Sequence, residues 1–171
     1  MNRRTIFAMT TIAAAAFALP SGMASGQQKT LKDQLVGAWT LVSDETTPPG
    51  GNKRESFGAN PKGILILDAG GRYAMVQGRP DRSKFKETKN LRSGATAEEF
   101  AAAARSFAAN FGTWSVNEVD KTLTKRYEIA LIPNNDADER KASVSIAGDE
   151  LTLAGTGANG VRTVYVYRRA R

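Results

Sequence analysis

The side chains that could carry chemistry in this 171-residue chain are carboxylates, lysines, arginines and tyrosines, because it contains no histidine and no cysteine. Without those two residue types there is no Ser-His triad, no thiol nucleophile and no imidazole ligand for a metal. Disulfides are excluded on the same ground. The composition favours a protein that holds a molecule over one that transforms it. We therefore assign no catalytic residue, no metal site and no cofactor.

Two local patterns look like ligand sites but have simpler explanations. Asp136, Asp138 and Glu139 form an acidic cluster whose oxygens would suit Ca²⁺, yet its spacing lacks the glycine and the final glutamate of a calcium loop. The glycine-rich residues 155–160 lie between two predicted strands rather than between a strand and a helix, which indicates a hairpin turn and not a phosphate loop.

A more informative set of residues begins at Tyr73. Strand alternation places Tyr73, Met75 and Gln77 on one face, and Arg79 follows directly. An arginine at the mouth of a barrel could clamp an anionic head group through its forked guanidinium. It could equally pair with Asp81 and fix the loop.

The remaining binding candidates are aromatic. Tyr165 and Tyr167 share one face of the last predicted strand, and Trp114 could belong either to the core or to a cavity wall. A tyrosine presents an apolar body with a polar tip, which suits an amphipathic ligand. Alternation alone does not decide which face of a strand points inward. The predicted ligand-binding residues are Tyr73, Met75, Arg79, Trp114 and Tyr165.

The elements that must position these residues are short β-rich runs separated by turn residues. Such runs cover residues 35–44, 63–67, 72–77, 112–119, 123–132, 141–147, 151–154 and 161–168, and residues 53–57 could form a further edge strand. Eight strands is about the number at which an antiparallel barrel closes around side chains or one small ligand. We predict a mainly β fold, an up-and-down antiparallel barrel of eight to nine strands.

One inserted segment has helical spacing. Thr96 and Glu99 form a capping box, and apolar residues then recur with the period of a helix at Phe100, Ala103, Ala104, Phe107 and Phe111. We predict an α-helix over residues 97–110. Its apolar stripe would pack on one mouth or flank of the sheet, where it could plug or cover the barrel.

The N-terminus has the layout of a secretory signal peptide. Arg3 and Arg4 precede an apolar run over residues 6–19, and small residues follow at 22–24. We expect residues 1–24 to be a signal peptide, residues 25–34 a lead-in segment and residues 35–171 the barrel domain. The protein would then be periplasmic or secreted, by the general or the twin-arginine route. No transmembrane segment is expected.

The net charge of the chain limits the classes of partner that we expect it to bind. The formal net charge is +7, but the basic residues are scattered and no nucleic-acid-binding motif is present. We expect no nucleic-acid partner, and the oligomeric state stays open.

Four segments in this order resemble the bacterial lipocalin-like domain family: LVGAWTLVS (35–43), FGANPKGILILDAGGRYAMVQGRPDR (57–82), FGTWSV (111–116) and GDELTL (148–153). The resemblance implies an antiparallel barrel with an internal cavity. It also implies that Gly37 allows a close backbone pass at one end, that Trp39 closes that end, and that Arg168 or Arg169 covers the tryptophan.

The leading hypothesis is an exported carrier that binds a small apolar or amphipathic molecule non-covalently in the barrel. A solid barrel that acts as an envelope interaction module is the alternative, favoured if the phenylalanines of the helical insert fill the barrel. An isomerase- or hydratase-like enzyme without histidine or cysteine is a third reading.

Overall fold

A computed structural model describes residues 29–86 and 89–171, except for the side chains of residues 91 and 92. The predicted signal peptide, residues 1–24, lies outside these ranges, as does the first part of the lead-in segment. None of the helices within the described ranges has the length and apolarity of a membrane span.

Eight antiparallel strands form one closed barrel in chain order, which confirms the predicted architecture. β8 pairs with β1, so the sheet has no open edge between them. Residues 53–57 do not form a ninth strand and contribute one bridge, between Arg54 and Thr46. The strands are β1 Gly37–Thr47, β2 Lys62–Leu67, β3 Arg72–Gly78, β4 Phe107–Asn117, β5 Thr122–Ala130, β6 Glu139–Ala147, β7 Glu150–Thr156 and β8 Arg162–Arg169.

The two ends of the barrel differ in how the strands are connected. At one end, which we call the base, the connections β2–β3, β4–β5 and β6–β7 are tight turns. At the other end, the rim, the connections are longer and cover residues 48–61, 79–106, 131–138 and 157–161. Long connections are where binding residues concentrate, because a rigid sheet supports them without constraining them.

A short helix, α1 (Leu31–Leu35), covers the base. Thr30 caps it in a reciprocal capping box with Asp33. The first N–H groups of the helix, those of Leu31 and Lys32, donate to the Glu118 carboxylate at 2.8 and 3.0 Å, which ties α1 to the β4–β5 turn. Leu35 is fully buried against the core.

Trp39 fills the base beneath α1. Its ring is fully buried, and its indole N–H donates to the carbonyl of Leu35 at 2.8 Å. Gly37 passes close by with φ +135°, and a Cβ there would lie 3.0 Å from a guanidinium nitrogen of Arg169. The cluster around Trp39 is apolar: Leu35, Leu65, Leu67, Trp114, Leu123, Val144, Leu151 and Leu153.

The cation that covers Trp39 is Arg169, so the assignment of this role to Arg168 is wrong. The Arg169 guanidinium lies 4.1 Å from the ring centre and donates to the carbonyls of Gln34 and Val36 at 2.6 and 3.2 Å. Alternation along β8 explains the correction: Tyr165, Tyr167 and Arg169 point inward, and Arg168 is exposed.

The helical insert is shorter than predicted. α3 (Ala97–Arg105) begins with the predicted capping box but ends before Phe107, and a one-turn helix, α2 (Leu91–Gly94), precedes it. Phe107 and Phe111 belong to β4, where they pair with β3. Ladder hydrogen bonds to an existing strand satisfy that backbone, so the helical spacing of the phenylalanines was coincidental there.

The insert does not plug the barrel. None of the α3 residues is buried. Phe100 is 42% exposed and packs against Phe85 in a tilted arrangement, with ring centres 5.4 Å apart. Phe111 points to the outer surface of β4 and is 39% exposed. The phenylalanines that were expected to fill the interior in a solid barrel therefore lie outside the apolar core.

Candidate ligand-binding site in the barrel

The rim half of the barrel interior is polar, in contrast to the base. Buried or half-buried polar side chains from β3, β4, β5 and β8 point inward there. We call them the polar cluster: Tyr73, Gln77, Asn110, Lys125, Tyr127 and Tyr165. Each lies in phase with apolar core residues of its own strand, which is why the alternation of the sheet brings them together.

Asp44 is a further buried polar residue of the interior, and its role is structural. It is 1% exposed. Its carboxylate accepts the backbone N–H groups of Ser56 and Phe57 at 2.9 and 3.2 Å, and so anchors the β1–β2 connection at the rim. Both oxygens are therefore engaged by the chain itself, as a buried carboxylate requires.

Lys125 lies near the centre of the polar cluster without an opposite charge. Its Nζ lies 3.7 Å from the sulfur of Met75 and 5.4 and 5.9 Å from the ring centres of Tyr73 and Tyr127. Among the described residues, no carboxylate forms an ion pair with it. Aromatic faces and a thioether are weak partners for a buried ammonium.

Burial lowers the pKa of Lys125 to about 8, and the positive charge of Arg140 adds to this effect. The positive charge of Arg140 is balanced by the Asp138 carboxylate, to which the guanidinium donates at 2.6 Å. The only formal charge in the cluster is thus a lysine whose charged form the surroundings disfavour.

Tyrosines surround this lysine. Tyr73 and Tyr127 lie on either side of Gly112, with ring centres 6.3 Å apart, and the hydroxyl of Tyr167 lies 3.8 Å from the Met75 sulfur. Burial raises the pKa of all of them, and also that of Tyr165. The tyrosines are therefore neutral at physiological pH and can act as hydrogen-bond donors.

Three polar atoms of the cluster are buried without a hydrogen-bond partner among the residues that the structure describes. They are the hydroxyl of Tyr73, the Oε1 of Gln77 and the Oδ1 of Asn110. An unpaired buried polar atom costs about 1–3 kcal/mol. All three lie in one region of the interior, where water or a bound molecule could supply the missing hydrogen bonds.

Glycines let neighbouring strands approach closely beside these groups, because a Cβ at Gly63, Gly112 or Gly155 would lie within 3.0 Å of an atom of the adjacent strand. Alternation places Gly63, Gly112 and Gly155 on the inner face of their strands, in phase with Leu65, Trp114 and Leu153. At Gly112, which lies at a β-bulge, a Cβ would come within 2.0 Å of the Arg126 carbonyl oxygen. Three inward positions of the rim half thus carry no side chain, whereas the base half is filled with leucines and tryptophans.

The structure brings together three of the five predicted ligand-binding residues. Tyr73 and Tyr165 belong to the polar cluster, and Met75 contacts Lys125 within it. Trp114 lies in the apolar core towards the base, where its indole N–H donates to the Asp68 carbonyl at 3.0 Å. This position agrees with the interpretation of Trp114 as a core residue, and not with the interpretation of it as part of a cavity wall.

Arg79 lies apart from the cluster, outside the barrel at the rim. It forms a bidentate pair with Asp81, both distances being 3.0 Å, and this pair lowers the pKa of Asp81. Beside it lies an external cleft of about 380 Å³, whose cations include Arg82, Lys84 and Arg105. The geometry matches the loop-fixing interpretation, in which the guanidinium is already committed to a carboxylate.

Sequence reasoning missed Lys125 and Asn110. Lys125 was counted among the scattered basic residues, although it is in phase with Leu123 and Tyr127 on β5. That phase was the available signal, because strand alternation puts Lys125 on the same inner face as Leu123 and Tyr127. Asn110 was assigned to the helix, so its strand phase could not be read.

In the described part of the chain no acidic group is arranged to hold a metal ion.

Residues 36–164 match the family model of the lipocalin-like domain, and the chain therefore belongs to that family. No curated protein matches the chain.

Among solved structures, the chain is similar to a redesigned β-barrel at 10% identity, with 82% of this chain and 95% of that one covered and a TM-score of 0.42. It is also similar to a de novo designed fluorescence-activating β-barrel, at 9% identity, with 79% and 93% covered and a TM-score of 0.39. A variant of the fluorescent protein UnaG aligns at 16% identity over 81% of this chain and 97% of that one, with a TM-score of 0.35.

Proposed function

We propose that this lipocalin-like chain is an exported carrier that holds a small amphipathic molecule non-covalently inside the rim half of its barrel. The observation that carries the proposal is the set of three unpartnered buried polar atoms around an unpaired lysine. A protein that only needed stability would fill this space with apolar side chains, as the base does. Polar groups held without partners in an otherwise closed barrel are typical of a recognition site.

An amphipathic ligand matches the surroundings better than a purely apolar one. Its polar end would meet the hydroxyls, amides and ammonium of the cluster, and its apolar part would lie against tyrosine rings and Met75. The apolar part supplies binding free energy of about 25 cal/mol per Å² buried, while the polar end fixes orientation.

The export part of the proposal rests on residues 1–24, whose basic start, apolar run and small residues have the layout of a signal peptide. Cell fractionation and the mass of the mature chain test it. A mature protein that lacks these residues and occurs in the periplasm or the medium supports export, and an intact N-terminus in the cytoplasm contradicts it.

Native mass spectrometry of protein purified gently from its own source, followed by denaturing extraction, tests the carrier function. A bound organic mass near one per chain supports the proposal and gives the ligand class. A ligand-free mass that persists after incubation with lipid and pigment extracts contradicts it.

An apolar outer face favours a second candidate, an interaction module. Ile66 and Phe111 lie on the outside of the barrel in register with Ala74 and Ile129, across four neighbouring strands. Exposed apolar groups in a continuous row are typical of partner surfaces. Protein that carries no small molecule in the mass measurement, together with loss of self-association or partner capture in Phe111→Lys, would favour this function over the carrier.

A further inference from the structure

The carboxylates that act electrostatically on the tyrosines of the polar cluster are engaged by other groups, Glu128 by an ion pair with Arg72. Asp44 accepts two backbone N–H groups with its two oxygens, and Asp138 pairs with Arg140. Neither forms an ion pair with Lys125 in the described ranges. The positive charge of this lysine therefore has no counterion within the barrel, although the residue is only 7% exposed. A buried unpaired charge is destabilising, so a counterion from outside the chain would be strongly favoured.

The groups around Lys125 define which anion would fit. The Lys125 ammonium lies over the face of the Tyr73 ring, whose hydroxyl has no partner and can donate. The ammonium and the phenol are two donor groups with one positive charge in total, which match the two oxygens and single charge of a carboxylate. A phosphate would need further cations, and the nearest one, Arg140, is committed to Asp138.

The two unpartnered amide oxygens add a second requirement. Asn110 is the register partner of Met75, and Gln77 follows two residues further along the same inner face, so both belong to the same region of the interior as Met75. Amide oxygens accept hydrogen bonds. A ligand that also carries an O–H or N–H group a short distance from its acid group would satisfy them.

We propose that the barrel recognises a carboxylate of its ligand through the Lys125 ammonium and the Tyr73 hydroxyl. This inference rests on the proposed carrier function and specifies the chemistry of its ligand. The acid group would lie inside the barrel beside Met75, and not at the exposed Arg79–Asp81 pair of the rim.

A matched pair of probes tests the inference: cis-parinaric acid, a fluorescent polyene carboxylate, and its methyl ester, titrated into the stripped full-length mature protein. In the unmodified protein the acid should bind more tightly than the ester, by roughly 10- to 100-fold for one charge-assisted interaction. In Lys125→Met this preference should vanish, mainly through loss of acid binding. In Tyr73→Phe it should shrink several-fold. Lys32→Met, which removes an exposed lysine of α1, should leave the preference unchanged.

Each other result overturns the inference. Equal binding of acid and ester in the unmodified protein, or a preference that survives in Lys125→Met, removes the carboxylate site. Binding of neither probe also counts against a chain-bearing carboxylate. In all of these cases the carrier function is judged separately, because a near-stoichiometric ligand in native mass spectrometry that proves to be neutral upholds the carrier and rejects the carboxylate.

Discussion

The base and the rim half of this barrel are built on the same eight strands, yet their interiors contain opposite kinds of side chain. At the base every inward group is apolar or satisfied: Trp39 donates to Leu35, and Arg169 caps the ring while donating to two carbonyls. In the rim half, Lys125 has no counterion and three polar atoms have no partner among the described residues. The ladder is continuous through both halves, so the difference lies in the side chains. Satisfied packing is concentrated at one end, and unpartnered polar groups are concentrated at the other.

The difference has an energetic consequence. Burying polar groups without partners costs free energy, and burying an unpaired charge costs more. The apolar base offsets that cost through burial of leucines and tryptophans. Changes at the base should therefore lower the free energy of unfolding, whereas removal of the polar groups at the rim half should raise it.

The largest effect is expected for Trp39→Ala. It removes the ring that fills the base and leaves Arg169 without its aromatic partner. We expect a loss of about 3–5 kcal/mol in the free energy of unfolding, measured by urea denaturation. Val119→Ala, at a position 92% exposed, is the matched control and should change little. A loss below about 1 kcal/mol for Trp39→Ala would show that the base is not the main source of stability.

An effect of opposite sign is expected for Lys125→Met. Methionine has a similar length and fills the same space without the charge. Because burial lowers the lysine pKa from 10.5 to about 8, the cost of keeping it charged at pH 7 is about 3 kcal/mol, and the variant should recover much of it. Lys32→Met controls for the loss of a surface lysine. A less stable Lys125→Met protein would mean that the ammonium has a structural partner.

The pH dependence of stability follows from the same group. Below pH 8 Lys125 is protonated in both states, so the full cost of burying its charge is present. Between pH 8 and 10.5 the folded lysine loses its proton while the unfolded one keeps it, so the free energy of unfolding should rise. Above pH 10 the buried tyrosines, whose pKa values are raised, reverse the trend because only the unfolded state ionises.

Urea denaturation across pH 7 to 11 measures this profile. The rise above pH 8 should be absent in Lys125→Met, while the fall above pH 10 should remain. A rise that persists in the variant would assign it to a different group and would weaken the contrast between the two halves.

The smallest effect is expected at the outer rim, for Arg79→Ala. The Arg79–Asp81 pair is exposed, with 42% and 64% of the two side chains accessible. Its loss should leave the free energy of unfolding essentially unchanged, because an exposed ion pair contributes little to stability. The acid-over-ester preference should also be unchanged, with Asp81→Asn as the companion variant. A lost preference in Arg79→Ala would move the anion site from the interior to the rim.

The β architecture was readable from the sequence because turn residues and alternating runs are local signals. The capping box of α3 was likewise local, and Thr96 and Glu99 form it as predicted. The end of that helix was not readable. Pairing of Phe107 with Gly78 is a long-range contact, and it overrode a helical spacing that continued through Phe111.

What the sequence by itself determined is the family, the barrel and the absence of histidine and cysteine chemistry. Only the tertiary structure decided which face of each strand points inward and which groups meet there. A one-residue change of phase exchanges the two faces of a strand, as Arg168 and Arg169 illustrate. The environment of Lys125 was decided in the same way. Only the packing of β3, β5 and β6 shows that this lysine is buried without a counterion among the described residues.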